Sequence, residues 1–118
     1  PRSLGSGLID GIAFDAYGNL WATMIFADRL VAITPQGDLL TLFEDGDREA
    51  SARFDAEFDS GKTVSADTMA ATGGKITPWL TSITFGGADL TTAYLGTLKA
   101  TALPCFKSPV AGLPMVHW

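Results

Sequence analysis

The chain has 118 residues, 47% of them hydrophobic and 18% charged, with a formal net charge of −5. That is the size and composition of one globular domain with a core, and it excludes a disordered chain. The 8 basic residues form no patch, which excludes nucleic acid and an anionic membrane surface as partners, and the lone Cys105 excludes an internal disulfide.

The start, Pro1-Arg2-Ser3-Leu4-Gly5, reads as neither an initiator nor a signal peptide, and the sequence is expected to be cut from a longer chain. Four strands are predicted first: Ile9 to Asp15, Leu20 to Phe26, Arg29 to Thr34 and Leu39 to Phe43. Asp15-Ala16-Tyr17-Gly18-Asn19, Ala27-Asp28 and Pro35-Gln36-Gly37-Asp38 are turn sequences, so the four form an antiparallel meander over residues 1–43.

Between Asp45 and Gly61 the spacing becomes helical, with Ala50, Phe54 and Phe58 four residues apart and Asp45 or Asp47 placed to cap. A short second helix is expected from Ser65, its N-cap, to Thr72, stopped by Gly73. Residues 44–75 therefore read as a helical insert. Seven acids fall between positions 44 and 60 (Glu44, Asp45, Asp47, Glu49, Asp55, Glu57, Asp59), and they read as a solvated face.

Strands resume at Trp79 to Phe85, Leu90 to Leu98 and Ala100 to Phe106. The tail from Pro109 to Trp118 is expected to pack down as loop, with His117 a surface or packing residue. Cys105, between Pro104 and Phe106, reads as a buried packing position, and Trp21, Trp79 and Tyr94 as packing aromatics. Asp15 and Asn19 read as turn formers.

The two strand blocks repeat. Ile9-Asp10-Gly11-Ile12-Ala13-Phe14 aligns with Leu80-Thr81-Ser82-Ile83-Thr84-Phe85, and each is followed by a glycine turn and a strand centred on Trp21 or Tyr94. Repeated meanders are the pattern of propeller blades. The fold class expected is all-β, a partial β-propeller of two four-stranded-type blades with the insert between them, and residues 76–118 forming a second, incomplete blade and tail.

Asp10-Gly11-Ile12-Ala13-Phe14-Asp15 followed by Gly18-Asn19-Leu20-Trp21, then Phe85-Gly86-Gly87, then Leu103-Pro104-Cys105-Phe106-Lys107-Ser108-Pro109-Val110-Ala111-Gly112-Leu113-Pro114-Met115 together resemble the C-terminal part of the SMP-30/gluconolactonase/LRE-like family. The resemblance implies a six-bladed propeller of which this chain holds the last two blades, and a hydrolase of lactones or related esters using a divalent metal (calcium or zinc, with manganese and magnesium as alternatives). It implies that Asp10 is a metal ligand and catalytic base, and that Thr81 and Ser82, at the repeat position of Asp10-Gly11, line the substrate channel. On residues alone, Asp10-Gly11 reads first as a turn before a strand.

The family's other ligands, a glutamate and asparagines from earlier blades, have no counterpart here. The chain alone is expected to bind no metal tightly and to hydrolyse little or nothing. Its partners are then the remaining blades in cis, or copies of itself in a three-fold ring. The alternatives to the hydrolase are a non-catalytic propeller module and a decayed frame. The single cysteine fits a cytoplasmic setting. A Ser–His hydrolase is disfavoured, since His117 lies in the tail and no Gly-x-Ser-x-Gly elbow is present.

Overall fold

The computed structural model describes residues 3–116, so the expectations for His117 and Trp118 lie outside the described residues. Two antiparallel sheets account for most of its regular structure. Sheet A runs in chain order, β1 (Leu8–Phe14), β2 (Leu20–Ile25), β3 (Arg29–Ile33) and β4 (Leu39–Glu44). Sheet B runs β5 (Leu80–Gly86), β6 (Thr92–Thr97) and β7 (Cys105–Lys107). Between them lie α1 (Arg48–Asp59) and α2 (Ala66–Ala71).

The sheets pack face to face. Trp21, Leu30 and Ala32 of sheet A meet Leu80, Ile83, Phe85, Ala93 and Leu95 of sheet B, all buried. Trp21 fixes the geometry, with Phe85 edge-on at 5.0 Å and Phe106 stacked at 6.4 Å. On the opposite face of sheet A, Ala22, Met24 and Val31 are covered by Leu4 and Leu39.

The internal repeat extends to strand register. Ala13 faces Trp21 across β1–β2, and Thr84 faces Tyr94 across β5–β6; Ile12 faces Ala22, and Ile83 faces Leu95. Both inner strands carry a register irregularity at the same place, between Ile9 and Ile12 and between Leu80 and Ser82. Thr23 brackets the first, its hydroxyl accepting from the Gly11 amide at 2.9 Å and donating to the Gly11 carbonyl at 3.2 Å.

The insert is helical as expected, with tighter bounds. Asp47 caps α1, accepting from the Ala50 amide at 2.8 Å, and Ser65 caps α2 by accepting from Thr68. Asp45 is not a cap. Its carboxylate instead holds the far end of the insert, accepting from the Ile76 and Thr77 amides, each at 2.7 Å. Phe54 anchors α1 by stacking on Phe26 at 4.3 Å.

Two strands are shorter than expected. β6 ends at Thr97 and β7 begins at Cys105, because Pro104 lacks an amide and the segment from Leu98 to Leu103 turns instead. Cys105 is exposed, correcting its reading as a buried position. It is paired with Tyr94 and points away from sheet A, while its neighbour Phe106, paired with Ala93, packs inward. The tail docks on sheet A, with Asp15 bridging to Gly112 and the Leu113 amide donating to the Phe14 carbonyl at 2.9 Å. Among the described residues no helix is long and apolar enough to cross a membrane.

Candidate functional site

Asp10 and Gly11 lie in β1, and Thr81 and Ser82 in β5, where the two strands touch at Gly11. A Cβ on Gly11 would stand 2.6 Å from the Thr81 carbonyl oxygen and 2.7 Å from the Ser82 Cα, so the seam closes only over glycine. The Asp-Gly pair therefore has a packing cause: the glycine lets two inner strands touch, and the aspartate precedes it on the irregular stretch of β1.

Asp10 is exposed, and so is Ser82, while Thr81 is half-buried and donates from its hydroxyl to the Gly96 carbonyl at 3.2 Å. Ser82 is paired with Gly96, and its hydroxyl lies over that glycine, leaving no room for a Cβ there. The three predicted residues thus gather on one seam, all with oxygen side chains. One carboxylate and two hydroxyls, of which the Thr81 hydroxyl is engaged with the Gly96 carbonyl, do not make the oxygen shell a hard divalent cation takes. Among the described residues, no three His, Cys, Asp or Glu side chains converge to hold a metal.

Several of the other acids serve the fold. Asp15, read from sequence as a turn residue, is buried and holds more than a turn. Its carboxylate accepts from the Tyr17 and Asn19 amides, the Asn19 side-chain amide at 2.7 Å and the Trp21 indole at 2.9 Å. Burial raises its pKa, and these hydrogen bonds outweigh that, leaving the carboxyl below its ordinary value. Asp45 behaves alike, its burial offset by amides from Thr77, Ile76 and Lys75.

Asp28 was not singled out by sequence reasoning, and its carboxylate reaches across the chain to three distant amides. It is fully buried and accepts from the amides of Gly74 at 2.6 Å, Trp79 at 3.1 Å and Leu80 at 2.8 Å. Two strained residues flank this clasp, Phe26 at φ 67° and Trp79 at φ 58°, and Asp28 itself sits at φ 43°. The Trp79 indole nitrogen is buried without a partner, while Lys99 stands 3.9 Å from the ring centroid. Part of the acidic stretch is occupied as well: Asp55 accepts from the Gly7 amide, Glu57 from Ser65 and Thr68, and Glu44 from Arg48.

Comparison of the chain with protein-family models, curated proteins and solved structures found no match.

Proposed function

We propose that this chain is the C-terminal portion of a metal-dependent hydrolase of the SMP-30/gluconolactonase/LRE-like kind, its two sheets being the last two blades of a propeller. The supporting observation is the seam. Two register-matched meanders lie face to face with their first strands in contact at Gly11, and an exposed carboxylate, Asp10, stands beside that contact. In this reading Asp10 gives one oxygen to a divalent cation whose other ligands come from outside the described residues. A cation so held polarises a lactone or ester carbonyl. Thr81 and Ser82 present hydroxyls to a substrate beside it. The described residues complete no metal shell, so no hydrolytic step is assigned to this chain by itself.

The test is a thermal melt with Ca²⁺, Zn²⁺, Mn²⁺ and Mg²⁺ at millimolar concentration, read beside hydrolysis of a sugar-acid lactone. The reading expects a small rise in Tm with at least one ion, abolished by Asp10→Ala and retained by Thr84→Ala. A shift indifferent to Asp10, or none with any ion, removes Asp10 from metal chemistry. A second reading, a non-catalytic scaffold or binding module, is favoured by the isolation of Asp10 from other carboxylates. In its self-associating form, three copies close a six-sheet ring, and sedimentation would report a trimer.

A further inference from the structure

The sequence holds two Asp-Gly pairs, Asp10-Gly11 and Asp45-Gly46. Such a pair is open to attack from within, because glycine puts no side chain in the way of its own amide nitrogen as that nitrogen closes on the preceding carboxyl. At Asp45-Gly46 the fold prevents this. The Ile76 and Thr77 amides and the Thr77 hydroxyl clamp the Asp45 carboxylate, and the Asp45 amide donates to the Asp28 carbonyl at 3.0 Å. A Cβ on Gly46 would run into the Ala27 carbonyl, so the backbone there has no room to turn.

Asp10-Gly11 lacks those restraints. Ile9 pairs with Met24 and Ile12 with Ala22, so Asp10 and Gly11 together oppose Thr23 alone, as in a β-bulge. Neither has a strand partner of its own. The hydroxyl of the buried Thr23 accepts from the Gly11 amide at 2.9 Å. The Asp10 side chain is exposed, and among the described residues it accepts no hydrogen bond.

We infer that Asp10-Gly11 is a site of spontaneous isomerisation to isoaspartate, and that the Thr23 hydroxyl is the latch that slows it. The Gly11 nitrogen bonds to the Asp10 Cγ, and the carboxyl hydroxyl leaves as water with the amide proton. Water then adds to the Asp10 main-chain carbonyl carbon and breaks its bond to the Gly11 nitrogen. No oxidant or partner is needed, and the chain keeps its mass. The former side-chain carbons now lie in the backbone, and the former carbonyl becomes the pendant carboxylate. One more backbone atom enters β1 at the seam, where a Cβ on Gly11 would already stand 2.6 Å from the Thr81 carbonyl oxygen. The product strand therefore loses its fit against β5. The inference rests on the bulge and not on the hydrolase reading, so either can fail alone.

The folded chain is aged for several weeks at neutral pH and physiological temperature. Tryptic peptides 3–29 and 30–48 then carry one pair each, and electron-transfer fragmentation separates isoaspartate from aspartate at equal mass. In the parent, isoaspartate is expected to accumulate at position 10 at least about threefold faster than at position 45, the effect of losing one hydrogen bond or more. Thr23→Val removes the acceptor at nearly constant volume, and is expected to raise the rate at position 10 about three- to tenfold and leave position 45 unchanged. Thr23→Ser keeps the hydroxyl and is expected to stay near the parental rate. Equal accumulation at both positions in the parent, or none at position 10, overturns the inference, and that comparison holds even if Thr23→Val does not fold. Acceleration of both positions together in Thr23→Val overturns the latch, since it reports general opening. So does an unchanged rate at position 10 in a folded Thr23→Val, or a Thr23→Ser as fast as Thr23→Val.

Discussion

Removing the Asp28 carboxylate tests whether one side chain ties the two sheets together. Asp28→Gly is the cleanest substitution, because glycine accepts the left-handed backbone at φ 43° and only the carboxylate is lost. Three amides lose their acceptor: those of Gly74, Trp79 and Leu80, of which the Leu80 bond is buried. A hydrogen bond to a charged group contributes about 1.5–3 kcal/mol, and a buried donor left unpaired costs about 1–3 kcal/mol. Gly74 and Trp79 are half-buried and water satisfies them in part, so the expected loss is about 3–5 kcal/mol, a large share of the roughly 5–15 kcal/mol that holds a domain folded. Asp28→Asn keeps an oxygen acceptor and tolerates the same backbone, and is expected to lose about half as much. The assay is urea unfolding followed by tryptophan fluorescence, since Trp79 is joined to Asp28 through its own amide. A loss below about 1 kcal/mol for Asp28→Gly, with an unchanged m-value, would refute the clasp.

Other expectations are smaller in scope. Gly11→Ala pushes a methyl into the Thr81 carbonyl and the Ser82 Cα, and is expected to cost about 1–3 kcal/mol by denaturation. Ile12→Lys, on an exposed row, is expected to change stability by no more than about 0.5 kcal/mol, whereas Ile83→Lys at the matching buried place is expected to prevent folding, as circular dichroism would show. Asp15 and Asp45 have folded pKa values below the ordinary 3.8, so their contribution is fully present above that value and is lost as pH falls through the folded values. Acid titration of stability should therefore show a decline beginning below about pH 4, shallower in Asp15→Asn.

Much of the architecture was legible because it rests on local rules. Alternation and turn residues gave the sheet A meander to within about two residues at each strand end, and Ser65 announced its helix by capping chemistry. The repeat of Ile9–Phe14 in Leu80–Phe85 was visible as letters and reappears as register. What escaped is long-range. Asp28 looks like any turn aspartate, and its partners are backbone amides between 46 and 52 positions away, which carry no side-chain signature. Asp45 or Asp47 was expected to cap the helix; Asp47 does, and the distant amides that Asp45 holds were hidden for the same reason. Cys105 was misplaced because the flanking apolar residues say nothing about which of two alternating neighbours faces inward. Within the candidate site, the letters supplied Asp10, but the reason Gly11 must follow it is a contact with a strand seventy residues on.

The grip of Asp45 on Ile76 and Thr77 means that the excursion between them leaves and returns at nearly one point. A detour whose ends already touch is cheap to close, and that cost grows only slowly with length. It is still tied to the sheets where Gly74 donates to Asp28, Phe54 stacks on Phe26 and the Ser51 hydroxyl donates to the Phe26 carbonyl. The exposed link between the two helices, residues 60–63, makes none of these contacts, and it is the natural port for grafting and the place where otherwise similar chains would be free to differ most.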